Sequence, residues 1–267
     1  MHAMTGISVQ VDADHGGRWV SLRSATGREW LRSRHAPERA SVRPGGAFVD
    51  AGGLEECIPT IGGVPDHGDA WARPWQRNDD ALSVDGDAYQ LRRGIRTRAD
   101  TATASYRVTA AAGWRFIWAA HAMLDLSPSA RLIAPAGYPA TVVGAAGEFR
   151  TAWPWLDDVD LSRVGETDGT ALMITLTDLD RITVVDQGDR LTMSLSAAGA
   201  PTSMAIWRNL GGWPEGAPYR SIVVEPMLGR IGELSLAGPG DAAIVPSSGW
   251  LEWSLRITAD HRDPGQA

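Results

Sequence analysis

Residues 52–75 read GGLEECIPTIGGVPDHGDAWARPW and combine acids, a histidine, an arginine and two tryptophans with glycines and prolines. The prolines are Pro59, Pro65 and Pro74. Proline breaks helices and cannot donate a hydrogen bond within a sheet, so the stretch is predicted to be neither a regular helix nor a central strand. We expect an ordered loop system that displays its side chains at a rim.

The mixture of side chains suits a sugar ligand. Carboxylate, imidazole and guanidinium groups can bond to hydroxyls, and indole rings can pack on the C–H faces of a sugar ring. The chain is also rich in tryptophan, with 12 against 4 tyrosines and 3 phenylalanines. The alternative is a glycine- and proline-rich connection whose charges are incidental, and composition alone favours neither interpretation.

Composition and charge exclude several classes of function. A net charge of −7 argues against nucleic acid or an anionic membrane as a partner. The chain contains no lysine, which removes Schiff-base chemistry and the P-loop lysine. We see no signal peptide and no apolar run long enough to span a bilayer, and the single cysteine, Cys57, permits no internal disulfide. Together these features predict a cytoplasmic protein.

Short strands separated by turns predict an antiparallel all-β fold in a single domain, residues 1–267, with a flexible polar tail at 260–267. A hairpin is expected over 81–93 around Asp85-Gly86. A second hairpin is expected between 101–109 and 114–126, and a strand over 232–236.

The strand at 114–126 has the clearest alternation. Phe116, Trp118 and every second residue after them form one apolar face, which leaves His121 on the mixed face. A ligand groove could run along that mixed face. The alternative is an ordinary strand histidine bonded to a neighbour.

Several motifs together resemble the aldose 1-epimerase (galactose mutarotase-like) superfamily. The run GGLEECIPTI followed by PDHGDAW is similar to one segment of those proteins. Further similar segments are GRWVSL at 17–22, WAAH at 118–121, and IWRNLGGW at 206–213 followed by VVEPMLG at 223–229. The resemblance spans about residues 17–253 and implies a β-supersandwich of the galactose mutarotase-like type, in a divergent bacterial branch.

The resemblance also implies site residues. Glu225 would be the general base, expected at a strand end before Pro226, His121 the general acid toward the ring oxygen, and His67 a group that binds or orients the sugar. Residues expected to bind hydroxyls or stack on the sugar are Asp66, Asp69, Trp71, Arg73, Trp207 and Asn209. Interconversion of anomers by acid and base needs neither metal nor cofactor. The implied partner is a small-molecule carbohydrate, bound by a monomer or homodimer.

The chain departs from galactose mutarotases at three places: Ala120 replaces an asparagine before His121, Asp69 replaces a second glycine, and Pro226 follows Glu225. Two other functions therefore stay open. One is a non-catalytic carbohydrate-binding protein. The other is a lyase or hydrolase acting on a glycoside on the same scaffold, for which Glu56 and Glu225 would have to face each other.

Overall fold

A computed structural model describes residues 6–261, and within them β-strands dominate. In chain order the strands are β1 (Ser8–Asp12), β2 (Arg18–Arg23), β3 (Gly53–Cys57), β4 (Gln76–Asn78), β5 (Ala81–Asp85), β6 (Tyr89–Arg98), β7 (Thr101–Ala110), β8 (Arg115–Phe116), β9 (Trp118–Leu124), β10 (Arg131–Ile133), β11 (Pro139–Gly144), β12 (Gly147–Ala152), β13 (Trp155–Leu156), β14 (Val159–Asp160), β15 (Ala171–Thr177), β16 (Arg181–Asp186), β17 (Asp189–Ala197), β18 (Thr202–Leu210), β19 (Arg220–Leu228), β20 (Ala243–Ile244) and β21 (Trp250–His261). Short 3-10 helices occupy Pro37–Ser41, Ala70–Ala72 and Leu234–Leu236. No helix in residues 6–261 is long and apolar enough to cross a membrane.

The strands form two large antiparallel sheets. One has the order β1-β2-β3-β9-β19-β18-β15-β11-β12, and the other the order β10-β16-β17-β21-β7-β6-β5-β4. Apolar residues from both sheets, such as Trp118 and Val224 from the first and Tyr106 and Leu255 from the second, share one buried core. This arrangement confirms the prediction of an antiparallel all-β sandwich. The predicted hairpin over 81–93 is also confirmed, as β5 and β6.

The prediction that residues 52–75 exclude a central strand was wrong for their first part. Gly53–Cys57 forms β3, which is buried along its length and pairs with β9 over five residues. Because the first proline, Pro59, lies beyond the end of this strand, it does not disturb the pairing. Residues 58–75 are irregular apart from the short 3-10 helix, as expected.

The hairpin predicted between 101–109 and 114–126 was wrong as well. β7 pairs with β6 and β21, whereas β9 pairs with β3 and β19 in the other sheet. The chain between them forms β8, which pairs with β20, and so crosses from one sheet to the other. Residue alternation identifies a strand but carries no information about its partner.

Residues 232–236 were predicted as a strand and are not one. Leu234–Leu236 forms a 3-10 turn. The Leu234 N–H donates to the Thr60 hydroxyl at 3.0 Å, and the Gly232 carbonyl accepts hydrogen bonds from Ile61 and Gly62. Bonds to the loop after β3 thus replace a sheet ladder.

Candidate active site

The candidate site lies on the face of the nine-stranded sheet that points away from the shared core. Register places Glu55 on β3 opposite His121 on β9. Residues on both sides of Glu225 pair with β9 in one constant register, which puts Glu225 opposite His121 on the other flank. Directly opposed side chains share a face and lie about 5 Å apart at Cβ. The sheet therefore brings the predicted base and acid together.

Glu225 lies inside β19, not at a strand end as predicted. The strand continues through Pro226 to Leu228, and the β19–β9 pairing is interrupted only at residues 225 and 226, where proline has no N–H to donate. Extended backbone before proline is the expected conformation. The prediction that the strand ends at Glu225 was wrong because β19 continues through Pro226 without a change of register.

The Glu225 carboxyl is buried and incompletely hydrogen-bonded. Its residue is 1% exposed, and Oε2 has no hydrogen-bond partner within residues 6–261. Burial without a compensating charge raises the pKa of Glu225 to about 8. A buried polar atom without a partner is uncommon in folded proteins and costs stability. Because Glu225 also lines the cavity described below, its carboxyl is a candidate acceptor for a ligand hydroxyl.

His121 is also removed from water. Burial is the main cause that holds the pKa of His121 well below its usual value of 6.5, and the nearby His67 lowers it further. The two imidazole rings meet edge to face, with centroids 5.0 Å apart. At neutral pH the imidazole of His121 is consequently uncharged.

His67 is held by Asp66 of its own loop and by Phe48 of the segment that precedes β3. Its Nδ1 lies 2.8 Å from Asp66 Oδ1, and its ring stacks on Phe48 at a centroid distance of 3.8 Å. The second Asp66 oxygen accepts the Phe48 backbone N–H at 2.9 Å. The hydrogen bond with His67 lowers the pKa of Asp66, although partial burial opposes it. A carboxylate on Nδ1 leaves Nε2 for other partners.

Gly68 explains how the loop brings His67 to this position. Its φ is +74°, and a Cβ there would lie 1.9 Å from the Ile58 carbonyl oxygen. Only glycine permits both the left-handed backbone and this approach. The neighbouring His67 has a positive φ of 58° as well.

A cavity of about 1180 Å³ opens over the face of the sheet that carries His121 and Glu225. His67, His121, Glu225 and Trp207 all line it. Four of the nine residues that the sequence predicts for the site therefore share one cavity, and Asp66 supports one of them from behind.

The other four predicted residues do not line the cavity, and each has protein partners. Asp69 bonds to Arg73 at 2.8 Å and to Tyr89 at 2.6 Å, and Arg73 also contacts Asp87. The fully buried Trp71 donates Nε1–H to the carbonyl oxygens of Asp66 and Gly68. Asn209 is fully buried and bonds to the backbone of the 211–219 loop on both its amide atoms. These contacts hold the loops around the cavity.

Glu55 and Glu56 face opposite sides of the sheet. Glu56 enters the shared core, where Arg93, Tyr106 and Trp118 donate to it. Glu225 lies on the other face, so the pair of carboxylates required for a glycosidase does not form from these two residues. Glu55 is on the Glu225 side but lies under Arg39, and burial raises its pKa to about 7 although Arg39 opposes this.

Phe48 lines the cavity and was missed by sequence reasoning. Besides stacking on His67, its ring meets His121 edge to face at 5.3 Å. No local pattern marks it, because it lies in an irregular segment and acts through residues that are distant in sequence.

Comparison with known proteins gives similarity at the level of structure. No family model matches the chain, and no curated protein matches it. An Escherichia coli K12 structure, provisionally named an aldose 1-epimerase, matches with a TM-score of 0.70 and 17% identity over 97% of each chain. A galactose mutarotase related enzyme from Lactobacillus acidophilus matches with a TM-score of 0.66 and 14% identity over 98% of this chain and 97% of that one.

A third solved structure has the same fold. The galactose mutarotase-like protein from Lactobacillus casei matches with a TM-score of 0.63 and 14% identity over 96% of this chain and 98% of that one. Matches that cover nearly the whole of both chains confirm the fold that the motifs imply. The chain has the β-supersandwich fold of the aldose 1-epimerase (galactose mutarotase-like) superfamily.

Proposed function

We propose that the protein is a sugar isomerase that interconverts the anomers of a free sugar or sugar-like hemiacetal by acid–base ring opening. The observation that carries this proposal is the Glu225 carboxyl, which is buried without a compensating charge and lines the cavity directly opposite His121. The carboxyl suits the C1 hydroxyl of a sugar, and the imidazole suits the ring oxygen.

Near neutral pH the pair carries one proton that can move between the Glu225 carboxyl and the His121 imidazole. Glu225, with its pKa near 8, is mostly protonated, and His121 is neutral. A sugar hydroxyl that donates to the Glu225 carboxyl would stabilise the carboxylate and favour transfer of the proton to His121. Binding would then generate the arrangement in which Glu225 is the base and His121 the acid.

Ring opening would proceed with one proton moving at each end of the C1–O5 edge. Glu225 takes the proton of the C1 hydroxyl, the C1=O bond forms, the C1–O5 bond breaks, and His121 protonates O5. The aldehyde rotates about C1–C2, and closure reverses each step on the other face. The pair returns to its starting state, so no external proton is required.

His67 and Trp207 would position the sugar. His67, oriented by Asp66 and Phe48, lies beside His121 and can bond to a hydroxyl near the ring oxygen. Trp207 lies on β18, two residues beyond Ala205, which pairs with Glu225, and can stack on the C–H face of the ring.

Polarimetry on freshly dissolved α-D-glucose and α-D-galactose tests the proposal. We expect the protein to accelerate mutarotation, and Glu225→Gln and His121→Gln each to reduce kcat/KM by roughly 10²–10⁴. Matched controls are Glu252→Gln and His261→Gln, exposed residues of β21 in the other sheet, which should keep the native rate.

Two outcomes would contradict the proposal. Sugar binding without any acceleration would favour the non-catalytic carbohydrate-binding alternative. Cleavage of an aryl glycoside, with no mutarotation, would favour a hydrolase on this scaffold. Unchanged mutarotation in both active-site variants would refute the assigned roles.

A further inference from the structure

The cavity is larger than a single sugar ring requires. Its 1180 Å³ exceeds the range of about 300–1,000 Å³ that ordinarily holds a drug-sized ligand. The acid–base pair lies on β9 and β19, and residues of β18, β15, β11 and β12 continue the lining across the sheet. The remaining floor therefore has room for a second group.

The row that contains Glu225 continues as a line of small and hydroxyl side chains. Ala205, Thr175 and Thr141 follow it on successive strands, and Arg150 ends the row on β12. Four strand spacings of roughly 4.8 Å put Arg150 about 19 Å from Glu225. All of these residues line the cavity.

Polar side chains in this row have no partner among the residues that the structure describes. Within residues 6–261, neither threonine hydroxyl forms a side-chain hydrogen bond, and Arg150 forms no salt bridge. These groups can therefore donate to or accept from a ligand without breaking an existing contact. Thr175 and Thr141 lie at two and three strand spacings from Glu225, beyond the ring that Glu225 and His121 would hold.

The neighbouring row on the same face is apolar. It runs through Val223 on β19, Trp207 on β18, Met173 on β15 and Val143 on β11. Trp213 meets Trp207 edge to face at 6.2 Å and is itself 52% exposed at the cavity wall. A hydroxyl-bearing row beside an apolar, aromatic row matches the two surfaces of a pyranose, whose edge carries hydroxyls and whose faces carry C–H groups.

We propose that this part of the cavity is a second sugar subsite, and that the preferred ligand is a reducing disaccharide whose reducing ring lies between His121 and Glu225. The second ring lies over Thr175 and Thr141, against the Trp207 side, with Arg150 bonding to its outer hydroxyls. This inference rests on the proposed function for the placement of the reducing ring.

Binding measured by titration calorimetry tests the subsite without requiring turnover. Maltose, cellobiose and lactose all carry glucose at the reducing end, so glucose is the matched single-ring ligand. We expect at least one disaccharide to bind ten times or more tightly than glucose. Binding of all three within twofold of glucose, or weaker, would overturn the proposal.

Thr141→Trp should fill the subsite while leaving the first ring free. We expect it to reduce disaccharide affinity to the level of glucose and to leave glucose affinity unchanged. The same substitution at Thr109, exposed on β7 of the other sheet, is the control for the added tryptophan. A disaccharide preference that survives in Thr141→Trp would place the second ring elsewhere and refute the assignment.

Arg150→Ala provides a second variant that leaves the floor intact, and it should reduce disaccharide affinity at least threefold with no effect on glucose. An equal loss for both ligands would refute its place in the second subsite. Polarimetry on the same samples separates the two proposals. Disaccharide preference without mutarotation would support the subsite and refute the isomerase proposal. Mutarotation of glucose without such a preference would support the isomerase proposal and refute the subsite.

Discussion

Replacing Glu225 by glutamine should give the protein a stability advantage over the native form, and this advantage should grow as the pH rises. The folded-state pKa of Glu225 is about 8, against 4.5 for an ordinary glutamate. Between these values the unfolded chain releases the proton and the folded chain keeps it, so the unfolded state binds fewer protons. The free energy of unfolding therefore falls as the pH rises through this window, and glutamine, which does not titrate, removes that loss.

The size of the effect follows from the difference in pKa. Each unit corresponds to about 1.4 kcal/mol, so the full cost of burying this carboxyl approaches about 5 kcal/mol above pH 8. The titration accounts for about 1 kcal/mol of that cost at pH 5 and about 4 kcal/mol at pH 8. The stability advantage of Glu225→Gln should therefore grow by about 3 kcal/mol over this range.

Urea unfolding of both proteins at pH 5, 6.5 and 8 measures the effect. Any constant offset caused by the amide cancels, because only the growth of the difference with pH reports the titration. Glu252→Gln, on the exposed surface of the other sheet, controls for removing one negative charge. A stability difference that stays constant across the three pH values, or that changes equally in the control, would refute a raised pKa for Glu225.

Three further predictions concern the pair, the core and the histidine loop. If mutarotation is observed, kcat/KM should fall above about pH 8, where Glu225 loses the shared proton, and a flat profile from pH 7 to 10 would contradict this. Arg93→Ala should cost about 3–5 kcal/mol in urea unfolding at pH 7, because it leaves the buried Glu56 without a charged partner; a loss below about 1 kcal/mol would disprove that role. Asp66→Asn should raise KM roughly fivefold, equivalent to about 1 kcal/mol, since the loop histidine loses its charged partner; an unchanged KM would show that the histidine is held without it.

The sequence predicted those features that depend on local pattern. Alternation along 114–126 assigned His121 to the open face, and the structure places it there because each strand residue reverses side. The glycines and prolines after Cys57 correctly indicated an irregular loop that carries His67. The motif order indicated the fold, which the structural matches confirm.

Features that depend on pairing between distant segments were not predictable in this way. The opposition of Glu225 and His121 follows from the pairing of β19 with β9, and alternation within one strand does not identify its partner strand. The same limit applies to Asn209, a polar residue that looks suited to a ligand but is fully used by the loop that follows it. Its satisfied hydrogen bonds appear only when the backbone of that loop is in place.

A crystal structure of the protein soaked with glucose and galactose would test the central claim most directly. The account predicts a pyranose with its anomeric hydroxyl within about 3.2 Å of a Glu225 carboxyl oxygen and its ring oxygen at the same distance from a His121 nitrogen. A sugar bound in the cavity with its C1–O5 edge turned away from both groups would contradict it.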